Sequence, residues 1–228
     1  MTSAAASSCA SRPSRRPASA VLVLVRHGES EANVARLLLG RTDSPLSEHG
    51  ARQAAAAAGV LAPVGRVISS PLERARRTAA AIGAPAAIEI DERWVEVDYG
   101  EYEGQPLDAV PAEVWRRWRS DRHFRPPGGE TLAELATRVH AACDELFREP
   151  GRGARADDGD VVVVSHVSPI KAAVAWALRS DEPLDWRLHL STGSLTRIGW
   201  GTDGPVLHAF NVVPTADERL APAPGRRS

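Results

Sequence analysis

The chain has 228 residues, a net charge of −1, and 43% hydrophobic against 25% charged residues. That is the composition of an ordinary globular protein long enough for one large domain, and its near-neutral balance provides no global field for nucleic acid or a membrane surface. No run approaches the roughly 20 apolar residues of a membrane helix, and with only two cysteines, Cys9 and Cys143, neither a disulfide framework nor a zinc site is expected, so a reducing, cytoplasmic setting is the expectation.

Residues 1–19 are Ser, Ala, Arg and Pro without an acidic residue and are expected to be a disordered tail. Their composition resembles a transit peptide, but no clear amphipathic period accompanies it. Val21 to Val25 is a short apolar run that reads as a buried strand. Arg26-His27-Gly28-Glu29 follows at once, and Ser30 to Asn33 opens a helix. Gly28 lets the backbone turn sharply or lets a ligand approach closely. Gly40 to Pro45 is turn chemistry, and Ser47 caps a helix with its body at 51–61. Val67 to Ser70 is a second strand, Pro71 starts a helix that Gly83 ends, and Ala87 to Ile90 is a third strand. Trp94 to Gly104 reads as a polar, aromatic loop. Pro111 opens a helix with Trp115 and Trp118 on one face. Thr131 caps another, with Leu132, Leu135, Val139, Ala142 and Leu146 along one stripe. Residues 148–160 read as a solvated loop. Val161 to Val164 is a further buried strand ending in Ser165-His166; Ser168 then caps and Pro169 begins a helix through Leu178. Residues 194–200 and 206–211 close as a hairpin, and 214–228 read as a second disordered tail. Domain boundaries of 20 and 213 follow. Strands alternating with helices predict an α/β three-layer sandwich with a mainly parallel central sheet and helices on both faces.

In such a sheet ligands sit at the carboxyl ends of strands. Arg26 and His27 follow the first strand, Arg74 follows the second by one turn, and His166 follows the strand at 161–164. Two arginines, two histidines and nearby helix N-termini converging on one edge suit a dianion such as phosphate. Lys171 reads as a solvated lysine, with a reach toward substrate as the alternative. His49, His123, His140, His189 and His208 lack matching context and read as surface or core residues.

Five segments in order then resemble one known family: Arg26 to Asn33, Ser69 to Ala79, Glu96 to Gly104, Pro127 to Thr131, and Val164 to His166. They are similar to the motifs of the histidine phosphatase superfamily, the phosphoglycerate-mutase-like proteins, over about residues 21–212. The resemblance implies that His27 is a nucleophile that becomes phosphohistidine, that Arg26, Arg74 and His166 hold phosphoryl oxygens, that Asn33 touches the phosphate, and that Glu96 gives a proton to the leaving oxygen and later activates water. Phosphoryl transfer needs positioning and charge neutralisation above all, so no metal or other cofactor is expected. An acid must carry its proton when it meets the substrate, and Trp94, Tyr99 and Tyr102 are expected to supply a partly apolar setting for Glu96.

The sequence departs from many relatives after the second histidine, where Val167 and Ser168 stand in place of glycines. Val167 still carries a backbone N–H for phosphate, but its side chain narrows that wall. The 70 positions between Glu96 and His166 leave no room for the longer insert of true mutases, although Arg116, Arg117, Arg119, Arg122 and Arg125 offer a basic stretch. The expected activity is a phosphomonoesterase acting on a small phosphorylated metabolite, by a monomer or homodimer, with neither nucleic acid nor membrane as partner. A mutase and a non-catalytic phospholigand-binding protein are the alternatives.

Overall fold

The computed structural model describes residues 21–61, 64–83, 88–148, 159–180, 184–201 and 203–214. The tails expected at 1–19 and 214–228 and the loop at 148–160 lie almost wholly outside them. Among the described residues the chain order is β1 (Val21–Arg26), α1 (Glu31–Val34), α2 (Glu48–Val60), β2 (Val64–Ser69), α3 (Glu73–Ile82), β3 (Glu89–Ile90), α4 (Ala112–Ser120), α5 (Leu132–Arg148), β4 (Asp160–Ser165), α6 (Val167–Ala177), β5 (Leu195–Gly201) and β6 (Gly204–Val212), with single 3-10 turns at Glu92–Trp94 and Gly100–Tyr102. The strands form one sheet in the order β3-β2-β4-β1-β5-β6. The first four run parallel, β5 adds antiparallel to the free side of β1, and β6 pairs antiparallel with β5.

Side chains alternate across a strand, and the two halves of each apolar run bury against different layers. Val21, Val23, Val25, Val162 and Val164 pack with Ala57 and Val60 of α2 and Ala75, Ala79 and Ile82 of α3. Leu22, Leu24, Val161 and Val163 face the other way, toward Leu135, Val139 and Leu146 of α5 and Ile170 and Ala173 of α6. Burial on both faces is why these strands read as continuous hydrophobic runs. A smaller cluster joins Leu38, Val110, Val114, Trp118 and Phe124 above the carboxyl edge.

Local signals account for several helix ends. Ser47 caps α2 through Gly50 N–H at 3.0 Å. At α5 the Thr131 hydroxyl accepts from Glu134 N–H at 3.1 Å while the Glu134 carboxylate accepts from Thr131 N–H at 3.0 Å, a reciprocal cap. The helix after β4 differs from expectation. It begins at Val167 with His166 as N-cap, and Pro169 falls in its first turn, where a missing N–H costs no hydrogen bond. The segment 94–104 also differs. Trp94, Val95, Glu96 and Val97 are buried, so the first half of that stretch is core.

Candidate active site

β1 and β4 are direct neighbours, with Val25 opposite Val164 and Arg26 opposite Ser165. Both strands therefore end level, and the next residue of each is a histidine. His27 N–H donates to Ser165 O at 3.0 Å, and the His27 and His166 rings lie 5.0 Å apart between centroids. His27 Nδ1 is 2.7 Å from Gly28 O. A carbonyl only accepts, so Nδ1 carries the proton and Nε2 is left with a free lone pair. Burial, with Arg26 and Arg74 beside it, holds the imidazole well below its ordinary pKa, so at neutral pH it is uncharged. His166 is shifted the same way by burial, Arg74 and His27. Its Nε2 lies 2.7 Å from Ser70 Oγ.

The structure gives Gly28 a packing role. A Cβ there would stand 2.2 Å from Gly50 O, so the missing side chain lets α2 press against the chain just after the histidine. Its N–H donates to Thr78 Oγ1 at 3.1 Å, and that hydroxyl donates to Arg74 O at 2.8 Å, joining the turn to α3.

The two arginines are held by carbonyl oxygens. Arg26 Nη1 donates to Leu190 O at 2.5 Å. Arg74 is 1% exposed; its Nη2 donates to Gly40 O at 2.6 Å and its Nη1 to Thr42 O at 2.9 Å. Burial lowers both pKa values, that of Arg26 to about 10, and nearby Glu96 pulls each back up, so both stay cationic at neutral pH. Arg26 Nε, Arg74 Nε and His166 Nδ1 are buried with no partner. Unpaired buried polar atoms are costly, and here three belong to one basic cluster, an arrangement that an entering oxyanion satisfies.

Glu96, 5% exposed, accepts from Val97 N–H at 2.8 Å and from Ser168 N–H at 3.3 and 3.4 Å. The first turn of α6 is therefore already engaged by a carboxylate. The Tyr99 hydroxyl is bonded to the Ser168 side chain, and burial pushes its pKa up. Val167 occupies the first position of α6, where a backbone N–H has no intrahelical acceptor. Asn33 is drawn elsewhere: its Oδ1 accepts from Ser30 N–H at 3.1 Å and Ser30 Oγ at 3.0 Å in a capping box for α1, which leaves only the amide nitrogen for a ligand. Lys171 is not solvated. It is half-buried, and its Nζ donates to Asp185 O at 2.5 Å.

A family model described as the histidine phosphatase superfamily (branch 1) matches residues 22–213. The chain belongs to that superfamily. It is 37% identical over 192 residues to the bifunctional protein Rv2228c of Mycobacterium tuberculosis, covering 80% of this chain and 51% of that protein. The chain thus spans about half the length of the mycobacterial relatives it matches. It is 36% identical over 192 residues to a probable phosphoglycerate mutase, GpmB, of Salmonella paratyphi B, covering 78% of this chain and 83% of that one. Among solved structures, mycobacterial glucosyl-3-phosphoglycerate phosphatase Rv2419c, in complex with VO3, superposes with a TM-score of 0.74 at 30% identity, over 85% of this chain and 99% of the other.

Several residues around this centre were given no role in the sequence reading. Ser70 touches His166. Arg138 donates to both oxygens of Glu130, at 2.8 and 2.9 Å, to Arg93 O at 2.7 Å and to Glu96 O at 3.3 Å, so it fixes the backbone at the buried carboxyl. Glu130 also accepts from Arg41 at 3.3 Å. Adjacency of Ser70 to the strand end was a usable signal; the oxygens of Arg93 and Glu96 that Arg138 holds are main-chain groups and leave none. Among the described residues no group of three His, Cys, Asp or Glu side chains is placed to hold a metal ion, and no helix is long and apolar enough to cross a membrane.

Proposed function

We propose that the protein is a metal-independent phosphomonoesterase that hydrolyses a small phosphorylated metabolite through a phosphohistidine on His27. The observation that carries this reading is the Nδ1–H bond of His27 to Gly28 O, which leaves Nε2 nucleophilic inside a cluster with three unpartnered buried nitrogens. In the first step Nε2 attacks phosphorus, the ester P–O bond breaks, and Glu96 gives its proton to the departing oxygen. In the second, water attacks the phosphohistidine as Glu96 takes the water's proton, and the N–P bond breaks to release phosphate and restore His27. Arg26, Arg74 and His166 bind the equatorial oxygens, where charge is greatest in the transition state. The capture of VO3, a phosphoryl mimic, by the glucosyl-3-phosphoglycerate phosphatase supports the same reading for this centre.

The likeness to a probable phosphoglycerate mutase favours one second reading, transfer to another hydroxyl of the substrate. Against it, the α4 arginines Arg116, Arg117 and Arg119, and Arg125 beyond the helix, are engaged locally. Arg116 pairs with Glu113, Arg125 bonds Glu134 and Gly129 O, Arg117 lies over Phe124, and Arg119 lies over Trp186. That supports water as the acceptor.

The test compares wild type with His27→Ala on an aryl phosphate and a panel of metabolite phosphates, with EDTA present. Wild-type turnover that the variant loses by about a thousandfold or more is expected. A strict need for added metal, or equal turnover in the variant, overturns the proposal. Labelled phosphate in the products separates hydrolysis from transfer.

A further inference from the structure

The loop from Gly40 to Thr42 belongs to no helix or strand, yet it supplies both carbonyl oxygens that hold the Arg74 guanidinium. A loop is a mobile platform unless something fixes it. Here three of its other polar groups converge on one side chain. Glu103 Oε1 accepts from Arg41 N–H at 2.7 Å; Glu103 Oε2 accepts from Thr42 N–H at 2.9 Å and from Thr42 Oγ1 at 2.7 Å. The backbone that follows Glu103 is itself tied down, because Gly104 N–H donates to Leu38 O and Leu38 N–H to Gln105 O, each at 2.8 Å. Glycine is required at position 40 for the same reason: a Cβ there would stand 2.0 Å from Glu103 Oε1 and 2.4 Å from Val97 O. The outward contacts of the Arg41 side chain, 3.7 Å to Asp98 and 3.3 Å to Glu130, are half-exposed and weaker holds on the loop.

We infer that Glu103 is a positioning residue for phosphoryl binding, acting through the Gly40–Thr42 loop on Arg74. Three charge-assisted hydrogen bonds fix the loop. The loop's two carbonyls occupy two of the five guanidinium N–H groups. The rest, including the unpartnered Nε, are presented in one orientation to the oxyanion. The negative charge of Glu103 also helps to keep the buried Arg74 protonated. Glutamine cannot replace it, since one of its two ends is an NH2 that would face the loop's own donors.

This inference rests on the phosphatase reading. Its test measures competitive inhibition by inorganic phosphate and by vanadate, together with kcat and KM, in wild type, Glu103→Gln, Arg74→Lys and the double variant. Glu103→Gln is expected to weaken phosphate binding about tenfold in the wild-type background and less than about twofold beside Arg74→Lys, because residues acting through a common group are not additive. Should Glu103→Gln fail to fold, Thr42→Val removes one of the three bonds and is expected to weaken phosphate about threefold, with Thr42→Ser restoring it. Unchanged phosphate affinity in Glu103→Gln, effects that multiply fully in the double variant, or a Thr42→Val loss that Thr42→Ser does not rescue overturns the inference. Wild type that binds neither anion overturns the phosphatase reading instead.

Discussion

The backbone N–H of Ser168 faces both oxygens of the Glu96 carboxyl, at 3.3 and 3.4 Å. One N–H of the first turn of α6 is thus committed to the group assigned to proton transfer, while that of Val167 has no intrahelical acceptor. This makes Glu96 a fixed part of the site.

Glu96→Gln is therefore expected to keep its place beside Ser168 and lose only its proton. Turnover of alkyl phosphates should fall about a hundredfold to ten-thousandfold. Turnover of an aryl phosphate with a good leaving group should fall much less, because the departing oxygen there needs no proton. Equal losses on both substrates would remove Glu96 from the role of acid.

Stability should depend on pH through the buried histidines. The folded pKa values of His27 and His166 lie well below 6.5, so just under pH 6.5 the unfolded chain binds protons that the folded chain does not. Their effect is therefore absent above about 6.5 and becomes a loss of stability as the pH falls below it. A falling Tm between pH 6.5 and 5, flattened in His27→Gln, is the expected result. The comparison separates the histidine from Asp160 and Asp185, whose carboxyls burial shifts upward and which act in the opposite sense.

Gly28→Ala should destabilise the fold by about 2 kcal/mol or more, since neither the strand end nor α2 can retreat cheaply from a Cβ 2.2 Å from Gly50 O. Denaturant unfolding gives the value. A neutral result would mean that α2 is not pressed against the turn.

Arg138→Met strips partners from Glu130 and from the Arg93 and Glu96 carbonyls. A loss of about 2 kcal/mol is expected because the Glu130 carboxylate keeps only its longer bond to Arg41, with kcat reduced about tenfold through Glu96 and phosphate affinity within twofold of wild type. Arg116→Ala, whose ion pair with Glu113 is exposed, should change stability by less than about 0.5 kcal/mol. Chemical unfolding and steady-state kinetics on both variants check the contrast.

The parts legible in the sequence share a physical reason. Val21 to Val25 and Val161 to Val164 are buried on both faces, so each reads as an unbroken apolar run and marks its own carboxyl end. The basic residues just past those ends follow directly. Thr131 and Ser47 were readable because a cap is local chemistry. The start of α6 was misread because the acceptor for Ser168 N–H lies 72 positions away in Glu96. Asn33 carried the right motif, but the structure turns its oxygen to Ser30. The role of Glu103 was invisible for a deeper reason: two of its three bonds to the distant loop come from main-chain N–H groups, which almost any sequence there would offer.

The pairing of β1 with β4 has a temporal consequence. His27 and His166 are 139 positions apart, yet the first turn of the site needs a hydrogen bond between His27 and Ser165. No amino-terminal fragment ending before β4 holds the pair, and a long loop must close before either ring has its neighbour. A growing chain therefore lacks the paired histidines until β4 has been made. During refolding, catalytic recovery should lag behind helix formation and rise with the docking of β4.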